Sequence, residues 1–176
     1  MLTLARISDP VALTAQVADV YRSAFSIFRD APTDNEVRAF AHDTLPRHAA
    51  RDGFRFIVAL EESQLVGFIY GYHGRRGEWW EDWIYERLPA AVFEQWFDRQ
   101  YDLTEFCVRA DRRGEGVGSQ LYEALFAELA EGSYERAVLT TRRIDNPARG
   151  FYLNRGWEVV WEALDDRFSL LGLKLG

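Results

Sequence analysis

Two arginines and three glycines stand close together in the middle of the chain, in an arrangement that suits an anion. Arg112 and Arg113 are followed by Gly114, Gly116 and Gly118, between an apolar run that predicts a strand and a periodic segment that predicts a helix. Glycine lets the backbone turn tightly and bring its N–H groups close to a bound anion. The positive end of the following helix would point at the same place. The pattern therefore predicts a phosphate-binding loop.

The spacing of the glycines distinguishes the known kinds of phosphate loop. The loop of nucleoside triphosphate-binding proteins has four residues between its glycines and then Lys and Ser or Thr, none of which is present here. A dinucleotide-binding loop needs a third Gly or Ala three positions after Gly116, where this chain has Ser119. Arg142 could imitate an arginine that selects a 2′-phosphate. However, the single βα unit after the loop leaves no room for a two-halved sheet.

Three predicted elements position this loop. We expect a strand over residues 103–108, a one-sided helix over residues 118–130 and a second strand over residues 137–141. A strand, helix and strand in this order form a βαβ unit. Its two strands should be parallel, with a right-handed connection.

The remaining patterns predict further helices and strands without an internal repeat or linker. They give helices over 10–28 and 34–50, an antiparallel hairpin of strands 54–60 and 65–72, a short helix over 146–154, and closing strands over 157–161 and 168–175. Asp9 should cap the first helix and Thr33 or Asp34 the second. We expect Pro46 to end or kink the second helix.

Residues 74–101 are rich in tryptophan and acidic side chains. Their aromatic residues, such as Trp96, recur at helical spacing, which favours packing in a core over a cover for a substrate. The acidic cluster of Glu78, Glu81 and Asp82 is expected to be a solvated face rather than a cation site.

Composition limits the classes of function. The chain has 176 residues, which suits one domain over residues 1–176, and its net charge of −7 disfavours a nucleic-acid partner. No apolar run approaches the ~20 residues that span a membrane, and the start lacks the long apolar segment of a signal peptide. We therefore expect a soluble, cytoplasmic protein without a membrane partner. The single cysteine excludes an internal disulfide, and three scattered histidines give no metal-ligand spacing.

Two separate motifs resemble the GNAT family of N-acetyltransferases. Arg113, Gly116 and Gly118 match its signature of Arg or Gln, two residues, Gly, one residue, and Gly or Ala, and Val108 stands five residues before. A later motif of the family is matched by Ala148, Phe151, Tyr152, Gly156 and Trp157. The resemblance is specific over residues 103–161, while upstream only the order of helix, helix and hairpin agrees.

The resemblance implies an α/β (α+β) fold. It consists of a mixed, mostly antiparallel central sheet with helices on both faces and a splayed central pair of parallel strands. It also implies acetyl-CoA as cosubstrate, with its pyrophosphate on the glycine loop and its pantetheine arm along the preceding strand. The residues expected to contact it are Phe106, Cys107, Val108, Arg112, Arg113, Gly114, Glu115, Gly116, Val117, Gly118, Ser119 and Asn146. Asn146 departs from the family pattern, because the family's asparagine usually lies one position earlier, where this chain has Asp145.

Direct acetyl transfer needs a base for the attacking ammonium and an acid for the departing thiolate. Tyr152 matches the family's tyrosine and is expected to be the general acid. Glu105, three residues before Val108, is the first candidate for the base, and Asp102 is the second because strand alternation puts the two on opposite faces. Cys107 could suggest a covalent acyl-cysteine, but no histidine lies near it in sequence, which favours a small buried cysteine.

The expected activity is transfer of an acetyl group from acetyl-CoA to a primary amine of a small molecule or peptide. The alternative is a non-catalytic acyl-CoA-binding or sensing domain with the same fold. The net acidity and the acidic cluster favour a cationic acceptor. The closing strands or the aromatic segment could also pair two subunits as a homodimer.

Overall fold

The computed structural model describes residues 1–144 and 146–176, so that Asp145 lies outside the described residues. Within this part, seven strands form one sheet: β1 Leu2–Arg6, β2 Arg55–Glu61, β3 Gln64–His73, β4 Gln100–Val108, β5 Arg136–Arg142, β6 Glu158–Trp161 and β7 Phe168–Lys174. The α-helices are α1 Thr14–Phe25, α2 Asp34–Ala39, α3 Leu45–Ala49, α4 Trp79–Tyr85, α5 Ala90–Trp96, α6 Val117–Ala130 and α7 Pro147–Leu153. No helix in these ranges is both long and apolar enough to cross a membrane.

The sheet has the strand order β1-β2-β3-β4-β5-β7-β6. The pairs β1/β2, β2/β3, β5/β7 and β6/β7 are antiparallel. The pair β4/β5 is parallel, with Gln100 opposite Arg136 and Asp102 opposite Val138. Strand β4 continues beyond these pairs to Val108. This topology confirms the predicted mixed, mostly antiparallel sheet with a parallel pair.

The chain divides into two compact units. The first comprises Met1–Tyr72 and Thr104–Leu129, and the second comprises His73–Leu103 and Ala130–Gly176. Strand β4 therefore begins in the second unit and ends in the first. Each unit buries an apolar cluster of its own.

In the first unit, helices cover both faces of the sheet. Val17 and Val20 of α1 pack in one cluster with Phe68 of β3. Gly67 alternates with Phe68 and so faces the other side, where an added Cβ would lie 3.0 Å from the side chain of Leu121 in α6. Helix α1 therefore covers one face of β3 and α6 the other, as predicted.

The predicted second helix is three segments rather than one. Thr33 caps α2 in a capping box with Glu36. A π-helical turn, Phe40–Thr44, then separates α2 from α3, and the Leu45 N–H bonds to the Phe40 carbonyl. Pro46 has no N–H to donate, and the wider turn just before it accommodates this loss without ending the helix. The proline therefore introduces a π-turn where a stop or kink was expected.

The sequence pattern predicted the hairpin of β2 and β3 but not the first strand, β1. Glu62 and Ser63 both have positive φ, 49° and 70°, as a two-residue turn between β2 and β3 requires. Strand β1 was not predicted, because its five residues show no regular burial alternation. It is nevertheless paired throughout with the end of β2.

The aromatic segment of the second unit is partly core and partly surface. Ile84, Phe93 and Trp96 are buried in one cluster, as predicted. Trp96 packs so closely against β7 that a Cβ on Gly172 would overlap its ring. Trp79, by contrast, is 74% exposed and stacks on Trp83. Packing therefore explains most of this segment but not its exposed start.

The acidic cluster is not a solvated face at Glu81. This side chain is only 1% exposed, and its Oε1 accepts a hydrogen bond from the Arg75 N–H. Asp82 accepts from the Gly77 N–H and pairs with Arg76. These acids are used to hold the turn before α4, because its backbone N–H groups need acceptors.

Candidate active site

The glycine loop has the backbone conformation that its sequence predicts. Gly114 and Gly116 have φ of 79° and 82°, values that residues with a side chain rarely adopt. Gly118 lies close to β4, and a Cβ there would be in ordinary van der Waals contact, 3.4 Å from the Phe106 ring and 3.7 Å from the Val108 side chain. Two of the glycines thus shape the turn, and the third lies at the start of α6, close to β4.

Helix α6 begins directly after the turn. The Gln120 N–H bonds to the Gly116 carbonyl over 3.1 Å, closing the first helical turn. An α-helix leaves the N–H groups of its first turn without intrahelical acceptors, and its positive dipole end lies there. The backbone from Gly114 to Ser119 therefore has the chemistry of a diphosphate cradle, which fits the predicted cosubstrate.

The two arginines of the loop are bonded within the first unit. Arg113 donates to the Ala24 carbonyl in the last turn of α1 over 2.6 Å. Arg112 pairs with Glu61 at the end of β2, with 2.9 Å between Nε and Oε2. Both bonds anchor the loop to neighbouring elements. A contribution of these charges to phosphate binding stays a prediction, as does a contact from Glu115 or Val117.

Glu105 lies on β4 ahead of the loop, in a site that disfavours its charge. The residue is partly buried, and burial raises the pKa of its carboxyl to about 7, against the opposing hydrogen bonds from the Cys107 thiol and the Phe106 N–H. The thiol donates over 3.7 Å. A carboxylate with a pKa near neutrality is suited to accept a proton at physiological pH.

Cys107 has the environment of a core residue. It is buried beside Phe68 and Tyr70, and burial raises the pKa of its thiol well above the usual value. The thiolate that an acyl-cysteine route needs is therefore disfavoured. The residue matches the prediction of a small buried cysteine.

Tyr152 and Asn146 belong to the second unit, at α7. Tyr152 is 6% exposed, and its ring lies 5.4 Å from that of Trp157. Asn146 caps the helix by accepting from the Ala148 N–H, and its amide group donates to Thr141 and to the Arg142 carbonyl. These bonds position the start of α7. The roles of Tyr152 as acid and of Asn146 toward the pantetheine stay predictions.

Asp102, the second candidate for the base, is buried in the second unit. A Cβ on Gly74 would overlap its carboxylate and the Gln100 amide, so this glycine makes room for a polar cluster. Glu105 and the glycine loop, by contrast, share the first unit.

Tyr70 and His48, which form a polar pair in the first unit, were missed by the sequence reasoning. Tyr70 of β3 is fully buried, and its hydroxyl lies 3.1 Å from Nδ1 of His48 in α3. Burial raises the pKa of Tyr70 well above its usual value, and the charge of Glu105 raises it further. Because 22 positions separate Tyr70 from His48, no local pattern could have linked them.

Several known proteins that are similar to this chain in sequence or in structure are named acetyltransferases. The chain is 27% identical over 126 residues to a GCN5-like protein acetyltransferase of Mycobacterium tuberculosis, which covers 66% of this chain and 61% of that protein. The structure is similar to PaiA N-acetyltransferase from Thermoplasma acidophilum in complex with coenzyme A (TM-score 0.71, 14% identity, 98% and 99% of the two chains). It is also similar to aminoglycoside 6′-acetyltransferase type Ii (TM-score 0.66, 17% identity, 99% and 96%).

The match to a family model shows which family the chain belongs to. The model described as the acetyltransferase (GNAT) family matches residues 16–157, which is most of the chain and includes both motifs. The similar structures, at identities of 14% and 17%, show a shared fold. The chain therefore belongs to the GNAT acetyltransferase family.

Proposed function

We propose that this chain transfers an acetyl group from acetyl-CoA directly to a primary amine of a small molecule or peptide. The observation that carries the proposal is the Glu105 carboxyl, whose pKa is about 7, on the strand that leads into the glycine loop. Glu105 lies in the same unit as the glycine loop, which supports its role as the base.

The loop backbone would hold the cosubstrate by its diphosphate. The positive φ of Gly114 and Gly116 and the start of α6 support this role. Phe106 and Val108 would offer backbone groups to the pantetheine arm. When bound, acetyl-CoA supplies an acyl group activated as a thioester and a thiol as leaving group.

Glu105 would prepare the amine for attack. A primary amine with a pKa of ~10.4 is neutral in only roughly one molecule in a few thousand at pH 7, so its proton must be removed. A carboxylate with a pKa of about 7 is half ionised at neutral pH. Asp102 is the second candidate, at a buried position beside Gln100.

Tyr152 would donate a proton to the departing sulfur. Its burial and its contact with Trp157 hold the ring in one place, which supports a role that needs a fixed hydroxyl. We propose that both units act as one functional domain over residues 1–176. A homodimer and a cytoplasmic location stay predictions.

The relatives support an amine acceptor but differ in its type. One is named a protein acetyltransferase and another an aminoglycoside acetyltransferase. The net charge of −7 favours a cationic acceptor here. The experiment that tests the proposal therefore has to compare several classes of amine acceptor.

The experiment incubates the protein with acetyl-CoA and a panel of polyamines, aminoglycosides and peptides, and measures free thiol and acetylated product. We expect thiol release that depends on at least one amine. The variant Glu105→Gln should reduce this rate by about 100-fold or more. Glu123→Gln, the same change at an exposed position of α6, should leave the rate unchanged. Binding of CoA without transfer to any amine would instead support the acyl-CoA-binding alternative.

A further inference from the structure

His48 and Tyr70 form a polar pair that joins the core of the first unit to its surface. Tyr70 is fully buried, and its hydroxyl oxygen lies 3.1 Å from Nδ1 of His48. His48 is partly exposed on α3, just after the π-turn. The pair therefore extends from the buried face of β3 toward solvent.

Tyr70 lies on the same face of the sheet as Glu105. Cys107 shares the apolar cluster of Tyr70, and residues two apart on a strand point to the same side. The Cys107 thiol donates to Glu105, which confirms that their side chains meet. The Glu105 charge also acts on the Tyr70 hydroxyl. The carboxylate, the phenol and the imidazole thus follow one another across a single face.

We propose that Tyr70 and His48 conduct to the surface the proton that Glu105 takes from the acceptor amine. The inference rests on the proposed function, in which Glu105 is the base. Because Glu105 is partly buried, a route through Tyr70 and His48 would let it release the proton while both substrates are bound. His48 and Tyr70 act through Glu105 and are positioning residues rather than catalytic ones.

Each transfer breaks one bond to hydrogen and forms another. The ammonium N–H bond breaks as a Glu105 O–H bond forms. The carboxyl proton then passes to the Tyr70 oxygen, directly after rotation of the carboxyl or through one water, while the Tyr70 proton moves to Nδ1 of His48. The imidazolium releases its Nε2 proton to water, which leaves the neutral ring protonated at Nδ1. Tautomer exchange through water, with loss of the Nδ1 proton and return of one to Nε2, restores the acceptor for the next turnover. No electron acceptor is needed.

The surroundings of His48 keep its ring neutral. Burial, and then the charges of Arg51 and Arg47, lower its pKa to about 4, so the ring is neutral at pH 7. Tyr72 of β3 packs beside the ring at 5.1 Å, under the Arg51 guanidinium. With pKa values of about 7 for Glu105 and about 4 for His48, the transfer is roughly a thousandfold unfavourable. The imidazolium is therefore short-lived and discharges to water.

The test measures turnover of His48→Gln in dilute buffer, with and without added imidazole. The amide can keep a hydrogen bond to Tyr70 but cannot carry a proton. We expect kcat to fall at least tenfold and to recover as imidazole is added, while KM and CoA affinity stay within about twofold. Tyr70→Phe should show the same loss. His42→Gln, an exposed change on the adjacent π-turn, should behave as wild type.

The outcomes separate the relay from the proposed function. Full kcat in His48→Gln, together with loss of transfer in Glu105→Gln, overturns the relay alone. A loss of kcat in folded His48→Gln that imidazole does not restore also overturns it. If the wild-type protein acetylates no amine, the proposed function fails and the relay fails with it. Should Tyr70→Phe not fold, His48→Gln decides the question, because its position is partly exposed.

Discussion

The Glu105 carboxylate is held where its charge is disfavoured, and this has a cost in stability. Its pKa is about 7 in the folded protein and near its usual 4.5 in the unfolded chain. Between these values the folded state keeps a proton that the unfolded state has lost. Stability therefore falls as pH rises from about 4.5 to 7, and the full cost is present above pH 7.

Glu105→Gln should remove this cost, since the amide does not ionise. We expect the variant to be more stable than wild type at pH 8, by up to about 3 kcal/mol, and about equal to it at pH 4. Thermal unfolding at the two pH values measures the difference. Glu123→Gln serves as the control and should show no pH-dependent gain. A variant less stable than wild type at pH 8 would mean that the charged carboxylate is well accommodated.

The single-residue variant Tyr152→Phe tests the proposed general acid. The change keeps the ring against Trp157 and removes only the hydroxyl. We expect kcat to fall by about 100-fold while CoA affinity is retained. Tyr85→Phe, at a partly exposed ring on α4, is the matched control. Full turnover by Tyr152→Phe across pH 6–9 would limit this tyrosine to a structural role.

At the scale of elements, the glycine loop makes the sharpest prediction. Gly116→Ala and Gly77→Ala both place a Cβ at positive φ, 82° and 90°, with no described atom within 4 Å of it. Each should cost about 1–2 kcal/mol of stability. Only Gly116→Ala should also weaken CoA binding, by at least tenfold in titration calorimetry, because its backbone is part of the cradle. Equal CoA affinity in both variants would contradict the assigned cradle.

The elements also show why some features could be read from the sequence. Local chemistry was sufficient for the loop, where Gly114 and Gly116 adopt a positive φ that favours glycine, and for the polar turn between β2 and β3. It was insufficient for β1, whose strand depends on the edge that β2 provides. The π-turn before Pro46 was missed because a proline pattern does not specify how the helix adjusts.

For the candidate site as well, the sequence could propose some residues but not the contacts that depend on packing. Motif spacing proposes Gly116 and Tyr152, and the strand before the loop proposes Glu105, and the roles of all three stay predictions. The contact between His48 and Tyr70 depends on packing of α3 against β3, which no local pattern encodes. The burial that raises the Glu105 pKa is likewise a property of the folded core.

For the whole molecule, the match to the GNAT family model over residues 16–157 confirms the predicted family. The sheet confirms the predicted fold class. The acceptor could not be predicted, since neither a fold nor a cofactor site fixes it. The chain also spans only 61% of the Mycobacterium tuberculosis relative, so that protein's activity extends to this chain only as a proposal.

The pH dependence of amine acetylation tests the central claim most directly. Transfer by the wild-type protein should rise with pH and level off above about pH 7, because Glu105 must be ionised to accept the proton. The readout is kcat/KM for acetyl-CoA at saturating amine, measured from pH 5 to 9. Glu105→Gln should bind CoA normally, lose about 100-fold or more in rate and lack the inflection near pH 7. An unchanged profile in Glu105→Gln would contradict the assignment of Glu105 as the base.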